Sequence, residues 1–364
     1  MKIGIIGTRG IPNYYGGFEQ FAEYLSVGLI AKGHQVVVYN SHHHPFQGNN
    51  WNGVEIVHCN DPEDKIGTAG QFVYDLNCIV DARKRNFDVI LQLGYTSSSI
   101  WGFLFPKKSV VITNMDGLEW KRSKYAKPVQ LFLQFAEYLG VKFSDYLIAD
   151  SIGIQAYLQK KYNQKAVYIP YGAHVFEAPD ETILTEFNVQ KQGYSMLIAR
   201  MEPENSIEVI LDGIAASGDG KPFLVVGNAQ NKFGLYLQQK YKAYSNIIFI
   251  GPVYDINKLN NLRYFASLYF HGHTVGGTNP SLLEAMASHA LICAHDNIFN
   301  RSILEEDAFY FTNKNEVAQL FKAVTNKAEY SLKIDNNILK INDKFSWQKI
   351  INDYEAYMIQ SKKI

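Results

Sequence analysis

Pro280 sits near the start of a helical pattern that follows a glycine pair, in the run His273-Thr274-Val275-Gly276-Gly277-Thr278-Asn279-Pro280-Ser281-Leu282-Leu283-Glu284-Ala285-Met286-Ala287. Proline is at home in the first turn of a helix, where its missing N–H costs nothing. The backbone N–H groups of Gly277, Thr278 and Asn279 would then face an incoming phosphate, with Gly276 and Ser281 on the same stretch. Glu284 lies about one turn further in, among Leu282, Leu283 and Met286. A carboxylate in such surroundings needs a partner. A ribose hydroxyl would serve, and so would a buried arginine or lysine.

Three other stretches have the same character. Gly7-Thr8-Arg9-Gly10 leads to Gly16-Gly17, which opens a helix and so offers amides and a positive dipole end to an anion. Arg9 would add a charge-assisted contact, although a plain glycine turn would use the same residues. Asn114-Met115-Asp116-Gly117-Leu118-Glu119-Trp120-Lys121-Arg122 follows the strand pattern VVIT and puts two carboxylates and two cations on one loop. Asp116, first off the strand, is the better placed for a sugar or acceptor contact. Leu197-Ile198-Ala199-Arg200-Met201-Glu202-Pro203-Glu204-Asn205 ends another strand pattern. The planar fork of Arg200 suits a diphosphate, with a salt bridge to Glu202 or Glu204 as the alternative, and Asn205 is expected to N-cap the next helix.

Other chemistries fit less well. The first glycine loop lacks the G-x-G-x-x-G spacing, and the second strand ends Tyr39-Asn40 without an acidic residue for a ribose, which speaks against a nicotinamide dinucleotide. His42-His43-His44 cannot readily face one ion, so no metal is expected. Lys121, Arg122, Lys124 and Lys127, followed by Leu131, Phe132, Phe135 and Tyr138, read either as a membrane-surface patch or as a solvated helix face over an ordinary core. Lys plus Arg number 35 and so do Asp plus Glu, which leaves no global field to draw nucleic acid.

The elements that must position these loops are legible from periodicity. Apolar runs (KIGIIG, QVVVY, VEIVH, DVILQLG, VVITN, YLIAD, AVYIP, then SMLIAR, FLVVG, IIFIG, LYFHG, LICAH, AFYF) alternate with helical patterns. Most do not alternate polar with apolar, the mark of parallel strands covered on both faces. The alternation restarts after Tyr171-Gly172. With 364 residues, this predicts an α/β protein of two doubly wound, Rossmann-like domains. The first is expected to span 1–172 plus a returning helix at 346–364, and the second 173–345. Ser346 to Lys363 carries Trp347, Ile350, Ile351, Tyr354 and Met358 on one side, a helix suited to cross a domain surface. Cys59, Cys78 and Cys293 are widely spaced in apolar contexts and read as buried thiols. With no signal-peptide pattern and no apolar run of roughly 20 residues, a cytoplasmic location is expected.

On these residues the chain resembles family 4 retaining glycosyltransferases of GT-B fold, whose usual motif is E-G-F-G-x-x-x-x-E-A-M-A. The combination GTRGIPxxYGGFE, MDGLEWKR and GGTNPSLLEAMA is similar to a narrower group, the bacterial rhamnosyltransferases of capsule and cell-wall polysaccharide synthesis. The resemblance covers essentially the whole chain. It implies two domains facing a central cleft, a C-terminal helix crossing back, and retaining transfer from dTDP-β-L-rhamnose to a lipid-diphosphate-linked saccharide. Another UDP- or GDP-sugar donor, or a sugar-nucleotide epimerase, are the alternatives. It implies no cofactor beyond the donor substrate, and work at the inner face of the membrane.

Carried over by position, Glu284 would hold the ribose and Gly277 to Asn279 the diphosphate. Arg200 matches the cation of an R-x4-K pair, Gly16-Gly17 the first-domain phosphate loop, and Pro252, Val253 and Tyr254 would border the base. Asp116 with Arg200 would stand at the chemistry, and Glu119 and Arg122 on the acceptor side. Three positions depart from the pattern: Gly276 replaces the first Glu, Asn205 the lysine, and Met115 a histidine. The first Glu grips donor-sugar hydroxyls in the family, so its loss fits a 6-deoxy sugar.

Overall fold

The computed structural model describes residues 1–122 and 125–362. Lys124 and Lys363 therefore lie outside the described residues. The chain divides into two compact units, each built on its own parallel sheet: Met1–Trp120, Tyr125–Gly172 and Trp347–Ile364 form one, Lys121–Lys124 and Ala173–Ser346 the other.

The sheet of the first unit contains β1 (Lys2–Ile6), β2 (Gln35–Ser41), β3 (Asn50–Trp51), β4 (Val54–Cys59), β5 (Val89–Leu93), β6 (Val110–Asn114), β7 (Tyr146–Ala149) and β8 (Ala166–Tyr168). Their order is β3-β4-β2-β1-β5-β6-β7-β8. Every pairing is parallel except that of the two-residue β3 with β4, an edge hairpin not foreseen from sequence. β1 lies between β2 and β5. The sheet is thus wound in both directions from β1, and the carboxyl ends of β1 and β5 form its switch point, where ligands of such sheets gather.

The helix Gly17–Ala31 follows β1 and buries Phe21, Leu25 and Leu29, with Phe18 half-buried at its start. Against it packs the helix Trp347–Lys362, with Trp347, Ile350, Ile351, Tyr354 and Met358 all buried. Trp347 stacks on Tyr24 at 4.5 Å between ring centroids, and Tyr354 meets Phe21 at 5.0 Å. Burial of side chains of this size stabilises by about 1.5–3 kcal/mol each, so the returning helix is an integral part of the first unit.

The second unit contains β9 (Ser195–Ile198), β10 (Phe223–Val226), β11 (Ile247–Gly251), β12 (Leu268–His271), β13 (Ile292–His295) and β14 (Phe309–Phe311). The order is β11-β10-β9-β12-β13-β14, with all pairings parallel. On one face of this sheet Ile207, Ile210, Leu211, Phe223, Phe270 and Phe321 pack into one core. Here the switch point lies between β9 and β12. The Arg200 stretch and the Gly276–Asn279 stretch leave the sheet side by side at that point.

All thirteen apolar runs read from the sequence are strands. The three cysteines are buried free thiols. No described helix is long and apolar enough to cross a membrane.

Candidate functional site

In the second unit, two loops are tied together at the switch point. The carbonyl of Glu204 accepts hydrogen bonds from the Thr274 amide (3.0 Å) and hydroxyl (2.8 Å). Gly272 permits this approach, since a β-carbon there would overlap the Asn205 carbonyl oxygen. From the other side, the amides of Asn297 and Asn300 both donate to the His273 carbonyl, at 3.0 and 3.1 Å. The loop backbone from Gly272 to Thr274 is therefore pinned on both flanks.

The expectation for Asn205 needs correction. Pro203–Asn205 is a short 3-10 turn, and the helix that follows, Ile207–Ser217, has Ser206 at its N-cap position without a side-chain cap. Asn205 instead donates to the Arg200 carbonyl at 2.7 Å and closes the turn that presents Arg200. Arg200 itself is exposed. It makes no ion pair with Glu202 or Glu204 among the described residues, and Glu204 lies 3.8 Å from Arg122.

The helix Pro280–Ala287 starts as expected, with Pro280 in its first turn. The Asn279 side chain accepts from the Ser281 amide at 2.9 Å, and the Asn279 carbonyl receives the amides of Leu282 and Leu283. The first turn is thus capped from within, and an anion here would meet the amides ahead of Pro280. Gly276 has φ +136°, a conformation that side-chain-bearing residues rarely adopt. The backbone at this position therefore differs in kind from one carrying a glutamate.

Glu284 has a protein partner that the sequence left open. Arg263, from the helix Ile256–Phe265, donates through Nη2 to Glu284 Oε2 at 2.6 Å and through Nη1 to Asn260 Oδ1 at 3.0 Å. The guanidinium is almost wholly buried, while Glu284 keeps 22% of its side chain accessible. Ser281 accepts from Arg263 at 3.5 Å and lies 3.1 Å from the Tyr269 hydroxyl. A buried cation thus holds a carboxylate that stays partly accessible, and carboxylates of this kind can take hydrogen bonds from a diol.

His271 and His273, at the end of β12, were not singled out by sequence reasoning. Their rings stack at 4.4 Å. Burial lowers both pKa values, with the Arg200 charge adding to the effect at His273, which falls to about 3. Both imidazoles are neutral at physiological pH. His271 is fully buried, and neither of its ring nitrogens has a hydrogen-bond partner among the described residues.

Val253 and Tyr254 lie after the edge strand β11, and Tyr254 is exposed. β10 lies between that strand and β9.

In the first unit, Gly17 is exposed at its helix end and Gly16 precedes it. Glu19 bends back over the same loop, accepting from the Arg9 amide at 2.9 Å and the Thr8 hydroxyl at 3.2 Å. The Arg9 guanidinium is engaged by Glu63 through both nitrogens and lies 4.4 Å from the Tyr15 ring centroid. At the end of β6, Asp116 has φ +43°. Its amide donates to Asn114 Oδ1 at 3.0 Å, and Asn114 donates in turn to the Tyr354 hydroxyl at 3.0 Å. The returning helix thereby sets the Asp116 loop.

The same loop is anchored further on. Glu137 is buried and accepts from Trp120 Nε1 (3.0 Å), Tyr157 (2.8 Å), Tyr162 (2.6 Å) and Lys161 (2.8 Å). Glu119 is half-buried next to Trp120, whereas Arg122 belongs to the second unit. The three consecutive histidines diverge: His42 receives the Asp61 amide, His43 faces Asp64 and His44 faces the Pro12 carbonyl.

Residues 1–174 match a family model described as a domain of unknown function, DUF1972. No curated protein matches the chain in sequence. Solved structures match over nearly its whole length. Sucrose-phosphate synthase from Thermosynechococcus elongatus is 16% identical with a TM-score of 0.80, covering 99% of this chain and 98% of its own. Anabaena HepE in complex with UDP-glucose is 13% identical with a TM-score of 0.76, covering 99% of each. A UDP-forming trehalose-phosphate synthase from Burkholderia xenovorans, in complex with glucose 6-phosphate, is 10% identical with a TM-score of 0.74, covering 98% of this chain and all of its own. The chain thus has the GT-B fold, two Rossmann-like units on parallel sheets.

Proposed function

We propose that the chain is a glycosyltransferase that takes a sugar nucleotide as donor. The observation that carries this reading is the Arg263–Glu284 pair, which holds a partly accessible carboxylate a turn behind the amides ahead of Pro280, at the switch point of the second sheet. A ribose diol would bind the carboxylate, and the diphosphate the amides of Gly277 to Asn279 and the neighbouring Arg200. These are the groups that stabilise charge as a nucleoside diphosphate departs. That structures of the same fold hold UDP and UDP-glucose in HepE lends support.

The finer reading is a retaining transfer of L-rhamnose from dTDP-β-L-rhamnose to a lipid-diphosphate-linked saccharide. Gly276, with no side chain, stands where the resembled family grips a donor hydroxyl, and the neutral His273 offers a hydrogen bond without a charge. Both suit a 6-deoxy sugar. The acceptor hydroxyl attacks the anomeric carbon on the face the diphosphate leaves, and a diphosphate oxygen takes its proton. In the first unit, the Gly16-Gly17 helix end is assigned to a phosphate and Asp116 with Glu119 to the acceptor.

Calorimetric titration with dTDP-rhamnose, UDP-glucose and GDP-mannose under one buffer tests the donor. Selective binding of dTDP-rhamnose is expected. A preference for another sugar nucleotide removes the rhamnose reading and keeps the transferase, whereas no binding of any removes both. Conversion of a sugar nucleotide without acceptor would make the protein an epimerase.

A further inference from the structure

Two of the three cysteines lie in one layer of the first unit. Val57 and Cys59 are alternate residues of β4, so they share a face of the sheet. The helix Gly70–Ala82 packs there with Tyr74, Cys78 and Ala82, four residues apart and all buried. Both cysteines belong to the same core cluster, together with Tyr39 and Tyr74. A buried cysteine by itself is a small hydrophobic residue and inert. Cys293 is of that kind: it is the lone cysteine of the second unit, and burial holds its thiol well above the usual pKa.

Cys59 and Cys78 differ in having each other. A side-chain hydrogen bond with Cys78 lowers the pKa of Cys59. Burial pushes Cys78 the other way, well above the usual range. Cys59 is also the less enclosed of the two, 7% exposed against 0%. The pair therefore has one sulfur suited to attack and a second in place to resolve the product. The chain between them carries Glu63, which engages the Arg9 guanidinium, and Gln71, which donates to Glu63 at 3.2 Å. It also carries Tyr74, whose hydroxyl donates to the carbonyls of Thr8 at 2.9 Å and Tyr39 at 2.8 Å. A link between β4 and the helix would close into a loop the segment that supports the first glycine turn.

We propose that Cys59 and Cys78 are a modification site for low-molecular-weight disulfides, which convert the pair into a bridge from β4 to the helix Gly70–Ala82. The Cys59 thiolate attacks one sulfur of the reagent and displaces a thiolate, leaving a mixed disulfide. The Cys78 sulfur then attacks the Cys59 sulfur and displaces the second thiolate. The two departing thiolates take up the two cysteine protons. Two protein thiols are thus oxidised by two electrons, and one reagent disulfide is reduced to two thiols. The reaction needs no nucleotide and stands apart from the donor assignment.

The test is incubation of the folded full chain with oxidised glutathione, followed by alkylation under denaturing conditions, intact mass and peptide mapping. Three alkylated thiols are expected before oxidation and one afterwards, Cys293, with a linked pair of peptides containing Cys59 and Cys78. A thiol reductant should restore all three. Cys78→Ala should stop at a glutathione adduct on Cys59, and Cys59→Ala should react at least about tenfold more slowly than the parent. The parent chain decides the matter even where a variant folds poorly. Three thiols that stay free in it, a bridge that includes Cys293, or an adduct on Cys59 that never resolves would each overturn the proposal.

Discussion

Glu284→Leu separates the two roles the site gives this carboxylate. Arg263 is buried almost completely, and the substitution removes its only carboxylate among the described residues, leaving Asn260 and Ser281 as partners. Breaking a buried ion pair from one side costs about 3–5 kcal/mol. The partial exposure of Glu284 puts the effect near the lower end, about 3 kcal/mol. For a unit of this size, that corresponds to a fall of roughly 6–12 °C in its thermal transition. Replacing both partners, as Arg263→Met with Glu284→Leu, removes the uncompensated charge and should recover most of the loss. Nucleotide binding should not recover, because the ribose contact is absent in both variants. Calorimetry for unfolding and for nucleotide binding, on the parent and the two variants, reads each effect separately. A single variant within about 2 °C of the parent would refute the energetic argument. A double variant as unstable as the single would assign the loss to packing. A double variant that binds nucleotide like the parent would refute Glu284 as the ribose ligand.

Arg200→Ala should lower turnover at least about tenfold while leaving the melting temperature unchanged, since the side chain is exposed and takes part in no ion pair among the described residues; near-normal kcat would sink its assignment to the diphosphate. Gly272→Ala forces a β-carbon against the Asn205 carbonyl, and an overpacked site of this kind costs about 1–3 kcal/mol. Lower stability together with weaker nucleotide binding is expected, and unchanged values for both would show that the two loops are not tied. Asp75 is buried beside Ser97, and burial raises its pKa to about 7. Because the folded value lies above the unfolded one, its contribution is fully present below about pH 4 and is lost as pH rises toward 7, an upper bound of about 4 kcal/mol. Asp75→Asn should therefore be more stable than the parent at pH 8 and should flatten this part of the stability profile. Parallel pH–stability curves for the two would refute it.

Most strands were legible because they are buried on both faces and read as apolar runs, such as Phe223–Val226. β3 was not, since two residues carry no period. The start of the helix Pro280–Ala287 was announced by its own proline and asparagine, which are local signals. The start of Ile207–Ser217 was misread because a 3-10 turn after Pro203 moves the helix along the chain past Asn205. Arg263 was invisible for another reason. The run INKLNNLRYF looks like any surface helix, and only tertiary packing buries its arginine against Glu284. His271 and His273 were in plain view beside the glycine motif, yet their stacking and neutrality follow from burial that spacing does not encode. The basic and aromatic residues around Lys127 were legible as a cluster, but which side of the helix met solvent was not.

The helix Trp347–Lys362 completes the first unit although the whole second unit precedes it in the chain. During synthesis, residues 1–172 leave the ribosome with Phe21 and Tyr24 uncovered and Asn114 lacking its Tyr354 partner. The interval lasts while the next 174 or so residues are made, on the order of ten to thirty seconds at 5–20 residues per second. The second unit, by contrast, ends at Ser346 and waits for no later segment. It can therefore reach its native form first, which reverses the usual N-terminal-first order.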